Sequence, residues 1–178
     1  PPGSGHVRIR PREVGESHTT YPVLIHFRSP KATRNWLIAL LAVMDAAALQ
    51  LAFNPSQPQA DVRMALRAGF VCLRDIADLQ GIPYDLDPHP DGPLVLTYED
   101  FLVGVARMQE QGYPAERSPE EAWPHFRGWR VNYEALAMRI ARDIDAVPAP
   151  WSGPRRTPVA IRTPVTPINR KPAPAVKP

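Results

Sequence analysis

The sequence predicts an all-α protein: a compact bundle of about four helices, with an extended N-terminal arm and a disordered, Pro-rich C-terminal tail. Two observations carry this. Apolar residues recur at three- and four-residue steps through successive stretches up to Ala146, and helix starts and stops fall at their edges. After Ala146 the chain carries nine prolines and too few apolar residues to fold, so polyproline II character is expected there. Residues 1–15 read as a linker, 16–146 as the helical body and 147–178 as the tail.

The first apolar segment, Glu16 to Phe27, contains Pro22, which makes it an edge strand or extended arm rather than a central strand. The stretch from Ser29 to Phe53 is the most apolar in the chain. Ser29 offers an N-cap and Pro30 a first helical position. Trp36 to Phe53 would rise about 27 Å, close to the span of a bilayer core. Asp45 costs roughly 2.5–3.5 kcal/mol in lipid and offsets its few strong apolar residues, so a buried core helix is expected.

The second helix is expected over about Pro58–Gln80, with Val62, Leu66, Phe70, Leu73, Ile76 and Leu79 at helical spacing and Gly81 as its stop. The Ile82–Pro93 stretch is a proline- and aspartate-rich loop. Asp85, Asp87, His89 and Asp91 with Gly92 have the look of a calcium loop, yet Tyr98 stands where a bidentate Glu is needed. The third helix is expected over about Thr97–Gln111, capped by Thr97 and Asp100, with Tyr98, Phe101, Leu102, Val105 and Met108 as its buried stripe. Ser118, Pro119 and Glu121 form a capping box for the fourth. Pro124 predicts a break or kink between Trp123 and His125. Phe126, Trp129, Tyr133, Leu136, Ile140 and Ile144 continue the cleanest amphipathic pattern in the chain.

The net charge of +3 is unevenly spread. The tail holds six Lys or Arg and no acids, leaving 15 basic against 18 acidic residues before it. A mildly acidic body is a poor nucleic-acid surface, so no nucleic-acid partner is expected. One cysteine, Cys72, excludes an intrachain disulfide and a multi-cysteine zinc site. Ser17 and His18 are not embedded in a nucleophile turn, and the five histidines lack metal-ligand spacing. No catalytic residue, metal site, cofactor or small-molecule ligand is therefore identified, and the chain does not read as an enzyme.

Three groups of residues remain as candidates. Asp45, a carboxylate on an apolar helix, needs a partner; Arg67, Arg74 or a helix N-terminus is expected to supply it, with a buried charge pair favoured. His125, Arg127, Trp129, Arg130 and Tyr133 interleave cations with aromatics, either as a binding surface or as a core stripe with snorkelling arginines. Arg155, Arg156, Arg162, Arg170 and Lys171 in the tail suit contact with membrane or phosphate, unless the tail is an inert solvated extension or its prolines serve an SH3-like groove.

The string Glu16-Ser17-His18-Thr19-Thr20-Tyr21-Pro22-Val23-Leu24, followed by Phe27-Arg28-Ser29, Asn35-Trp36-Leu37 and Ala42-Val43-Met44-Asp45, resembles the cytoplasmic region after the pore in bacterial two-transmembrane potassium-channel-like proteins. The match covers about thirty residues of the chain. There is no filter-like T-V-G-Y-G, so this chain cannot itself conduct ions. The resemblance implies a cytosolic domain at the inner face of the bacterial plasma membrane, acting in subunit assembly, tethering or gating. It implies self-association with identical subunits; independently, the charge of the tail and of Arg8, Arg10 and Arg12 at the front suits contact with an anionic membrane surface. Because the chain begins with Pro1, a longer product is expected. The alternative is a free-standing soluble helical module that binds a protein or an anion.

Overall fold

In a computed structural model describing Ile25, residues 35–144 and Ala146, the described residues form five helices. They are α1 (Trp36–Phe53), α2 (Ala60–Gln80), α3 (Tyr98–Glu110), α4 (Pro119–Arg130) and α5 (Glu134–Asp143). The described residues contain no strand, and the helices pack as a bundle around α1, which touches α2, α4 and α5. Most of the expected arm and all of the tail, including Arg155, Arg156, Arg162, Arg170 and Lys171, lie outside the described residues.

The described central helix begins at Trp36, and the Ser29-Pro30 signal lies outside the described residues. Asn35 is the N-cap, and its side-chain oxygen accepts from the amides of Leu37 at 2.8 Å and Ile38 at 3.4 Å. This satisfies two of the four amides a helix start leaves open. Leu37, Leu40, Leu41 and Met44 are buried within its first turns. At its other end, the amides of Glu116 and Arg117 donate to the Phe53 carbonyl, and the Arg117 guanidinium donates to that of Ala52. The loop before α4 thus closes the C-terminus of α1.

Two apolar clusters fill the bundle. One joins α1, α2 and α5 through Leu40, Met44, Leu73, Ile76, Tyr133 and Ile140. At Gly69 a Cβ would come within 2.7 Å of the Met44 side chain, so the absence of one lets α2 approach α1 closely. The other cluster is aromatic and joins the end of α1 to α3 and α4, with Phe101 at its centre. Leu79 and Leu102, both expected on buried stripes, are instead exposed, because their helices turn only a narrow face to the core.

The stop of α2 and the N-terminal caps of α3 and α4 fall where the sequence places them. Gly81 ends α2 with φ of +65°, and Thr97 with Asp100 and Ser118 with Glu121 both form reciprocal capping boxes. The expected break at Pro124 does not occur. α4 continues through it and is interrupted instead at Val131–Tyr133, before α5. Proline removes one amide donor, whose acceptor would be the Glu120 carbonyl. Both residues are exposed, so that carbonyl is not stranded in the core.

Candidate functional site

The most unusual local chemistry is a buried charge cluster where α1, α4 and α5 meet. Arg130, at the last turn of α4, is fully buried. Its Nη1 donates to Asp45 Oδ2 at 2.6 Å, and its Nε donates to Glu134 Oε1 at 2.8 Å. Tyr133 completes the group by donating its hydroxyl to Asp45 Oδ1 at 2.7 Å. Glu134, the first residue of α5, also accepts from the amides of Val95 at 2.5 Å and Leu96 at 3.1 Å. That carboxylate therefore ties the segment leading into α3 to the start of α5, where the helix dipole favours negative charge.

This arrangement corrects the expected pairing of Asp45 with Arg67 or Arg74. Arg67 is exposed on α2. Arg74 lies over the Phe70 ring at 3.9 Å and donates to the Leu86 carbonyl at 2.9 Å. The helix docking directs Asp45 toward the α4–α5 corner, where Arg130 is already desolvated. The spacing contained a signal for this. Phe126, Arg130, Tyr133 and Ala137 fall on one helical face, and Arg130 and Glu134 stand four apart.

One guanidinium serves two buried carboxylates, and the electrostatics follow from that. Burial raises the pKa of Asp45, and Glu134 adds to the rise, although Arg130 and the Tyr133 hydroxyl oppose it. Burial lowers the affinity of Arg130 for its proton, but Asp45, Tyr133 and Glu134 more than compensate, leaving its pKa raised. Burial, with Asp45 beside it, lifts Tyr133 well above the ordinary phenol value. Cys72 is likewise pushed up to about 12, mainly by burial, which makes it an unreactive core thiol.

The raised Asp45 value has a stability consequence with a definite sign. In the window above the ordinary value of 3.8, the folded protein holds a proton on Asp45 that the unfolded chain has released. Stability from this group therefore increases as pH falls through the window and is lost as pH rises. Asp45→Asn mimics the protonated form. Its melting temperature relative to the parent should shift in the variant's favour between pH 4 and pH 7, measured by circular dichroism. A difference that stays constant or moves the other way would contradict the raised value.

The expected binding surface around α4 is largely taken apart by the structure. Arg130 and Tyr133 are buried in the charge cluster, because the same face of the helix packs on α1. Arg127 is engaged with the 90–92 loop, donating to the carbonyls of Pro90 and Gly92 and pairing with Asp91 at 3.2 Å. His125 remains exposed, and Trp129 is half-buried.

Trp129 forms one wall of a groove between α2 and α4, of about 200 Å³. Leu66 and Phe70 line its α2 side, while Arg63 and Arg67 stand one helical turn apart at its rim. Arg63 is positioned over the Trp129 ring at 5.9 Å and donates to the Gln59 side chain at 2.8 Å. A larger open hollow, of about 570 Å³, lies between the Pro83–Pro88 loop and α5, where Arg139 donates to the Pro83 carbonyl at 2.6 Å. Among the described residues, no three His, Cys, Asp or Glu side chains converge as metal ligands would. No protein-family model, curated protein or solved structure matches this chain.

Proposed function

We propose that this chain is a non-catalytic cytosolic domain of a bacterial potassium-channel-like membrane protein, serving regulation and subunit assembly, with the pore carried elsewhere in that protein. The observation that carries this reading is the seating of Ile25. It falls between residues 16–24 and 27–29 of the resemblance, and it is buried in the same apolar cluster as α1 and α2. Its carbonyl accepts from Trp36 Nε1 at 3.2 Å, and Trp36 belongs to the same resemblance. A displacement at Ile25 therefore acts on the first turn of α1, and α1 touches three other helices. A domain hung beneath a pore needs such a mechanical link for gating or tethering.

On this reading, identical subunits self-associate at the inner face of the plasma membrane, and the basic ends of the chain meet anionic lipid. The coding sequence upstream of Pro1 tests it. Two apolar spans flanking a filter-like T-x-G-[YFL]-G are expected. A start codon a few residues upstream would overturn the reading in favour of a free-standing helical binding module.

A further inference from the structure

We propose that two copies of this chain associate by reciprocal insertion: the Asp85-Leu86-Asp87 tip of one enters the α2–α4 groove of the other. This rests on the self-association part of the reading above and names the surface that performs it. Leu86 is 71% exposed, more than any other large apolar side chain among the described residues. It is flanked on both sides by exposed aspartates, and the tip is held in shape from within. The Asp87 amide donates to Asp85 Oδ1 at 3.0 Å, and Arg74 Nη2 holds the Leu86 carbonyl at 2.9 Å.

The groove has the complementary chemistry. Its wall is apolar, its rim carries Arg63 and Arg67, and no acid lines it. Arg67 makes no hydrogen bond or ion pair among the described residues. A volume of about 200 Å³ is below the roughly 300–1,000 Å³ of small-molecule sites, so one inserted side chain suits it better than a whole cofactor. An apolar anchor flanked by two carboxylates, meeting an apolar slot with two guanidiniums at its rim, is matched in apolar character and in charge.

The two features are also neighbours on one face. Arg74 lies over the ring of Phe70, which lines the groove, and the same guanidinium holds the Leu86 carbonyl. A two-fold dimer requires that if one residue touches a second across the interface, the second touches the first. A knob and a slot side by side meet that condition, and each dimer gains two insertions and two sets of charge pairs.

Sedimentation equilibrium of the full 178-residue chain tests the contact. A concentration-dependent dimer is expected, weakened by about tenfold or more in Leu86→Ser, in Arg63→Glu with Arg67→Glu, and in Asp85→Arg with Asp87→Arg. Mixing the two charge-reversed proteins should restore a heterodimer, because both reciprocal contacts then regain opposite charges. All five positions are exposed, so the melting curves should match the parent. Should a variant not fold, the unaltered chain still decides: its association should weaken as salt rises from about 0.05 to 0.5 M. A parent chain that stays monomeric overturns the proposal. So does association indifferent to these changes, although that result would leave a channel-like assembly through another surface standing. A start codon just upstream of Pro1 would remove the channel reading without touching the dimer.

Discussion

Replacing Arg130 with methionine is expected to destabilise the fold by about 3–5 kcal/mol, because removing the cation leaves carboxylates buried without their partner. The side chains of Arg130, Asp45 and Glu134 are 1%, 9% and 2% exposed, so solvent cannot take over the pairing. Total stabilities of small domains are about 5–15 kcal/mol, so the loss is a large fraction of the whole. Urea unfolding followed by circular dichroism would measure it. A variant within about 1 kcal/mol of the parent would show that the cluster is not needed for folding. Arg130→Lys should fall between the two, since a lysine keeps the charge but loses the planar fork that reaches both acids. The combined Asp45→Leu, Arg130→Met, Glu134→Gln protein should be more stable than Arg130→Met alone. Buried ion pairs are costly to break from one side but are often replaceable as a unit. The glutamine retains a carbonyl for the Val95 or Leu96 amide, which keeps that segment pinned to α5.

Phe101→Ala should have an effect of the same order, about 3–5 kcal/mol, through loss of packing rather than charge. Phe101 is fully buried, and its ring centroid lies 5.1 Å from Trp123, 5.2 Å from Phe126 and 6.0 Å from Phe53. It therefore joins α3 to α4 and to the end of α1. The buried residues of α3 are Phe101 and Val105, so the helix has little else to hold it. Hydrogen exchange should accordingly show residues 98–110 losing protection more than α2 does. A loss below about 1 kcal/mol, or equal loss of protection in both helices, would mean that α3 is held by other contacts. Phe101→Leu should cost less, since it keeps much of the apolar volume and leaves a smaller void.

Much that depended on neighbours within four residues was legible in the chain, although the Asn35 cap and the Arg130–Glu134 pair were not read from it. The capping boxes at Thr97 and Ser118 join groups three apart, and Gly81 adopts a left-handed conformation that costs glycine little. The apolar steps of α2 and α5 likewise located helices that the structure contains, because a helix repeats every 3.6 residues wherever it lies. The Ser29-Pro30 start signal lies outside the described residues. A local rule misled at one point. Pro124 signalled a break, yet its missing amide falls on an exposed side.

The sequence by itself thus determined the class of the fold and, among the described residues, the number of helical segments to within one and most of their ends. Only the tertiary structure decided which charges meet. Asp45 and Arg130 are 85 residues apart, and Arg67 or Arg74 on α2 were equally plausible partners by composition. Helical periodicity tells which residues share a face, but the docking of that face selects its neighbours. The groove beside Trp129 and the exposed tip at Leu86 arise the same way, from packing between α2, α4 and the 82–93 loop. Burial makes a charge pair or an apolar slot matter, and burial belongs to the packed bundle rather than to any one of its helices.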